Sequence, residues 1–127
     1  MRVLSIYFVI LAFLSLNPWL LPDPNQAVGT LSWDKIDHAA AYGLLSLLLM
    51  SACRYRKQRP LVSFMVFLAC FSVGVLFEYC QLWFTSTREF SYYDALANGF
   101  GALLGVIVFW CYGWVAGLLP KTCQKAG

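Results

Sequence analysis

ALANGFGALLGVIVFWCYGWVAGLLP, residues 95–120, runs for 26 residues without a charged side chain. A helix needs about 20 predominantly apolar residues to cross the hydrocarbon core of a bilayer. This stretch therefore reads as a transmembrane span. Residues 3–21 are likewise uncharged over 19 residues. Residues 36–53 carry only Asp37 and His38, at their leading edge. Residues 60–77 are free of charge, and the apolar character continues past Glu78 to Phe84. The expected fold class is all-α, a polytopic membrane protein built as a four-transmembrane-helix bundle. Its helices should cover about 3–21, 36–53, 60–84 and 94–119 of a single membrane domain, 1–127.

Composition agrees. Of 127 residues, 61% are apolar and 12% charged, and mean hydropathy is +0.67. An average soluble domain is about 45–50% apolar and about 25% charged. A soluble protein this small exposes too large a share of its surface to hide so much apolar area. A soluble enzyme, a disordered chain and a DNA-binding module are all disfavoured. The first apolar stretch ends Asn17-Pro18-Trp19-Leu20-Leu21-Pro22, which lacks the small-residue pattern of a signal-peptide cleavage site. It reads instead as a span kinked by Pro18 near its outer end. Trp19, Trp83 and Tyr92 fit an outer aromatic belt, and Tyr55 an inner one.

Arg54, Arg56, Lys57 and Arg59 crowd the connection between the second and third spans. Basic loops stay in the cytoplasm, so the chain should be multi-pass with both termini expected in the cytoplasm. Seven bases then lie inside, and all six acids lie outside with Lys35 and Arg88. The tally is +7 inside and −4 outside, which recovers the net +3. The basic side suits anionic lipid headgroups and calls for no nucleic acid. The cysteines, Cys53, Cys70, Cys80, Cys111 and Cys123, are odd in number and include no C-x-x-C pair. They read as small packing residues rather than a zinc or disulfide framework.

The polar residues converge on one side of the membrane. Asp34, His38 and Tyr42 are spaced by four and share a helix face. Glu78 and Gln81 are three apart, and Glu78 lies six residues before Phe84, about 9 Å from that end at 1.5 Å per residue. A carboxylate at that depth should face other helices and pair with a cation or proton donor. Arg88 lies in the outer loop, and its planar fork suits carboxylates and phosphates. Asp94 and Asn98 share a face of the fourth helix, and Gly101 and Gly105 continue it as a close-packing stripe. Capping, helix–helix hydrogen bonding and solvation would account for each residue singly. Their joint placement argues for one site opening toward the outer leaflet.

The run Asp34-Lys35-Ile36-Asp37-His38, then Glu78-x-x-Gln81, then Arg88-x5-Asp94-x3-Asn98-x2-Gly101-x3-Gly105 resembles the VanZ-like family of small bacterial membrane proteins. The resemblance covers about residues 30–108. It implies a four-helix membrane protein with Asp34, His38, Glu78, Gln81, Arg88, Asp94 and Asn98 as motif residues. It also implies a link to teicoplanin-type antibiotic resistance, but it supplies no reaction.

Two functions from different classes follow. In the first, a non-enzymatic factor binds a cell-envelope lipid headgroup, such as a lipid-linked cell-wall precursor, or a lipoglycopeptide. Arg88 meets a phosphate or carboxylate, Asn98 and Gln81 give neutral hydrogen bonds, and Glu78 and Asp94 hold Arg88. In the second, an intramembrane enzyme acts on a lipid-linked substrate with His38 and Glu78 as acid–base pair. The single histidine and the lack of an obvious nucleophile favour the first. No cofactor and no metal are expected. Asp34, His38 and Glu78 are of ligand type, yet a structural His–carboxylate pair accounts for them equally. A proton-coupled transporter would need polar groups through the full depth, and the inner half is bare. Four spans leave lipid-facing surface enough for a homo-oligomer.

Overall fold

The computed structural model describes residues 2–16, 27–28, 31–53, 59–84, 91–115 and 117. Four helices account for nearly all of them: α1 (Arg2–Leu16), α2 (Trp33–Ala52), α3 (Arg59–Phe84) and α4 (Tyr92–Val115). Within α3 and α4, Pro60–Trp83 and Tyr92–Val115 are long and apolar enough to cross a membrane. Each has 24 residues and so spans about 36 Å. α1 is apolar but covers 15 residues, and positions 17–21 of the expected span lie outside the described residues. α2 has 20 residues, with Asp34, Lys35, Asp37 and His38 in its first two turns. Those charges set it apart from α3 and α4.

The helix starts differ from the sequence reading in an instructive way. α2 begins at Trp33, three residues before the expected 36, so Asp34 and Asp37 lie inside its first turns. Acids are favoured there by the partial positive charge of the helix N-terminus. α4 begins at Tyr92, before Asp94, because Ser91 caps it. The Asp94 backbone N–H donates to Ser91 Oγ at 3.2 Å, and Ser91 is the kind of residue that stops a helix from leaving its first amides unpaired. At the other end α4 runs to Val115, and positions 116, 118 and 119 of the expected span lie outside the described residues. Gly117 follows with φ of 61°, a left-handed conformation that glycine adopts without steric cost.

A two-stranded antiparallel ribbon, β1 (Ala27–Val28) and β2 (Leu31–Ser32), precedes α2, pairing Ala27 with Ser32 and Val28 with Leu31. An all-helical reading did not anticipate it.

α2 and α4 make the closest pair. Gly101 lies under the backbone of Ala39, and Gly105 lies against the Gly43 carbonyl and the Ser46 hydroxyl. A side chain at either glycine would collide with α2. The core between the helices holds Leu11, Tyr42, Leu45, Met50, Cys70 and Val106 among others. Several long-range hydrogen bonds tie the helices together, three of them outside the α2–α4 pair. Tyr7 Oη of α1 donates to the Ala41 carbonyl of α2 at 2.8 Å. Gln81 Nε2 of α3 donates to the Ser15 carbonyl of α1 at 2.8 Å. Trp110 Nε1 of α4 donates to Ser63 Oγ of α3 at 2.9 Å. Outward faces are strongly apolar, and Trp83 and Tyr92 are 76% and 77% exposed. Trp19 and Tyr55 fall outside the described residues, as does Cys123. Cys53, Cys70, Cys80 and Cys111 are free thiols, Cys70 buried and Cys111 exposed.

Candidate functional site

Asp34 and His38 stand one turn apart at the start of α2. Asp94 and Asn98 repeat that spacing at the start of α4, and Glu78 approaches from the last third of α3. The fold draws these five together. His38 is the hub. Its Nδ1 lies 2.9 Å from Asn98 Oδ1 and 3.8 Å from Glu78 Oε1, and its Nε2 lies 3.8 Å from Asp34 Oδ1. An amide oxygen only accepts, so Nδ1 must carry a proton and donate it to Asn98.

Burial makes the cluster chemically unusual. Asp34, Glu78, Asp94 and Asn98 are 5%, 2%, 8% and 1% exposed. Three carboxylates so withdrawn from water need partners, because an uncompensated buried charge costs several kcal/mol or more. Lys35 supplies one cation, its Nζ 3.2 Å from Asp94 Oδ1. With the Lys35 side chain 30% exposed, this pair stands at the rim of the cluster.

Two residues of the expected site have protein partners. Asp94, expected to hold Arg88, pairs with Lys35. Arg88 itself lies outside the described residues, as do Thr85, Ser86 and Thr87. Gln81 was expected to offer its amide to a ligand. It is 2% exposed, and its Nε2 is spent on the Ser15 carbonyl. That carbonyl is among the last four of α1, which have no partner within the helix. Gln81 therefore ties α1 to the flank of the site.

The sequence reading passed over three contributors. Lys35 was counted only as a surface charge, since nothing in its own segment shows that Asp94 would come to it. Gly74 lies one turn before Glu78, where a Cβ would stand 2.9 Å from Asn98 Nδ2. Its bareness makes room for the Asn98 amide between α3 and α2, and its spacing from Glu78 was the available signal. Tyr42, noted only as the third residue on the Asp34 face, is 1% exposed, and its hydroxyl has no hydrogen-bond partner among the described residues. It is an electrostatic neighbour of Glu78. Gly101 and Gly105 lie at the α2–α4 contact just below the cluster.

A groove of about 700 Å³ runs along the outside of that contact, from Lys35 and Tyr93 past Gly43 and Phe100 to Leu47 and Val108. Its polar end adjoins the cluster, and the rest is apolar. The arrangement offers hydrogen-bond acceptors, one proton-bearing imidazole and a rim ammonium at the mouth of an apolar groove.

No curated protein and no solved structure matches the chain. The sequence model of one family, VanZ/LLP1, matches residues 3–115. That span takes in all four helices and every described residue of the cluster, so the chain belongs to the VanZ/LLP1 family.

Proposed function

We propose that this protein is a four-span protein of the bacterial cytoplasmic membrane with both termini in the cytoplasm. Its polar cluster opens at the extracytoplasmic face and binds the head of a cell-envelope lipid or a lipoglycopeptide. One observation carries the reading. Asp34, His38, Glu78, Asp94 and Asn98, from three helices, are gathered at the same end of otherwise apolar helices, and four of them are under 9% exposed. Such residues are costly in a membrane and are retained there for recognition or chemistry. The carboxylates accept hydrogen bonds from headgroup hydroxyl or amide groups. Lys35 at the rim, with Arg88 from the adjoining loop, meets a phosphate or carboxylate. The tail lies in the groove between α2 and α4. A role in teicoplanin-type resistance belongs to the same proposal and rests on the family.

The test combines sidedness with binding. In intact cells, an impermeant thiol reagent should label Thr87→Cys and spare Gln58→Cys in a cysteine-free background. The purified full-length protein should bind a lipid-linked cell-wall precursor or teicoplanin, and Arg88→Lys should weaken that binding, since lysine lacks the planar fork. Labelling of the opposite pattern, or unchanged binding in Arg88→Lys, refutes the reading.

A second reading has one observation in its favour. His38 stands between Asp34 and Glu78, at 3.8 Å from each, as an acid–base group on a lipid-linked substrate would. Glu78→Gln keeps the shape and removes the base. Full function in that variant eliminates acid–base chemistry at Glu78.

A further inference from the structure

Asp34, His38 and Asp94 each bring a ligand-type atom into a group whose members all lie within 4.8 Å of one another. Asp34 and His38 come from one face of α2, and Asp94 comes from the first turn of α4. The His38 tautomer decides what this group can do. With Nδ1 donating to Asn98 Oδ1 at 2.9 Å, the neutral imidazole carries its lone pair on Nε2. Nε2 lies 3.8 Å from Asp34 Oδ1. That exceeds the roughly 2.7–3.2 Å of an N–H···O hydrogen bond, and a bare ring nitrogen and a carboxylate oxygen repel each other. A cation between them reverses the sign. Two ligands each about 2.0–2.2 Å from a tetrahedral ion stand roughly 3.4 Å apart, so a shift of a few tenths of an ångström would bring Asp34 and His38 onto one ion, with Asp94 inside the same 4.8 Å group.

The surroundings match such an ion. A metal-binding histidine ordinarily donates its other ring N–H to an oxygen that fixes ring and tautomer, and Asn98 does this for His38. Glu78 approaches the proton-bearing Nδ1 side, so Asp94 rather than Glu78 completes the group with Asp34 and His38. Asp94 can keep Lys35 on Oδ1 and offer its second oxygen. Asn98 Nδ2 and the Tyr42 hydroxyl, buried polar atoms with no partner among the described residues, lie on the other side of the His38 ring, toward Gly74 and Glu78, where a water would satisfy them.

We propose that Asp34, His38 and Asp94 hold a divalent transition-metal ion of the zinc type, with Asn98 as the positioning residue for His38. One imidazole nitrogen and two carboxylate oxygens suit such ions, whereas magnesium and calcium favour oxygen alone. The ion would offset the charge of the Asp34 and Asp94 carboxylates that hold it. The site stands whether or not a headgroup binds there.

The experiment uses the full-length protein, purified in detergent and stripped with chelator. Zinc retained after desalting is measured by elemental analysis, and cobalt, as a coloured substitute, by its visible absorption. The expected result is one ion per chain. Asp34→Asn and His38→Gln should abolish it, and Asn98→Ala should weaken affinity about 10–100-fold. Asp37→Asn, an exposed neighbour outside the group, should leave it unchanged. Absence of zinc and cobalt binding in the wild-type protein overturns the proposal. So does binding that survives unaltered in Asp34→Asn and His38→Gln, and so does magnesium binding as tight as zinc. Should both of those variants fail to fold, Asn98→Ala decides: unchanged affinity overturns the site.

Discussion

Gly101→Ala tests how far the site depends on the approach of α2 to α4. A Cβ at position 101 would stand 2.7 Å from both the carbonyl carbon and the Cα of Ala39. Carbon atoms settle near 3.5–4.0 Å, so the helices must part by about 1 Å. No rotamer relieves the clash, because the obstacle is backbone. His38 precedes Ala39 on one helix, and Asn98 lies three residues before Gly101 on the other. Their hydrogen bond, 2.9 Å in the native packing, would stretch toward about 3.9 Å, beyond hydrogen-bonding range. Overpacking costs about 1–3 kcal/mol, here at the upper end since neither backbone yields. The lost hydrogen bond adds about 1 kcal/mol, and alanine returns about 1 kcal/mol in helix propensity. The net expectation is a loss of about 2–3 kcal/mol. Equilibrium unfolding of the purified protein in mixed micelles measures it. Gly99→Ala is the comparison, because a Cβ there meets only the Phe71 ring, at 3.0 Å, and a ring can swing aside. Its cost should stay below about 1 kcal/mol. If Gly101→Ala were no less stable than Gly99→Ala, the close α2–α4 contact would not govern the site.

Two further substitutions separate structural from functional residues. Gln81→Leu removes the bond to the Ser15 carbonyl and should cost about 1–3 kcal/mol in the same unfolding assay, since a buried carbonyl loses its donor; headgroup affinity should change little, and a large loss of affinity would return Gln81 to the binding surface. Tyr42→Phe removes a buried hydroxyl without a partner among the described residues, so stability should hold or rise by up to about 1 kcal/mol while headgroup binding falls; a clear loss of stability would mean the hydroxyl serves packing.

Much of the candidate site was legible because it is written at helical spacing. Asp34, His38 and Tyr42 repeat every four residues, as do Asp94 and Asn98, so each set must share a face wherever the helix forms. That His38 would meet Asn98 was not legible. The two are 60 residues apart, and their meeting depends on how α2 and α4 rotate about their axes. Lys35 and Asp94, 59 apart, and Gln81 and Ser15, 66 apart, were missed for the same reason. In each case the protein partner lay on another helix, so nothing in either segment pointed to the pairing. The helix starts, read at about 36 and 94, stand at Trp33 and Tyr92, with Ser91 capping α4 and the acids inside the first turns.

What the amino-acid sequence determined by itself is the solvent and the inventory. Long charge-free runs make helices whose outward faces are apolar, and the sparse charges and amides collect toward one end of them. Those properties belong to single segments and survive any arrangement of the helices. The tertiary structure alone decided which polar groups face one another. Glycines at 101 and 105 let α2 and α4 approach closely enough for His38 to reach Asn98. Gly74 lets the Asn98 amide fit against α3. Distances of a few ångströms between side chains on different helices follow from packing, and packing is a property of surfaces in contact rather than of any one stretch of chain.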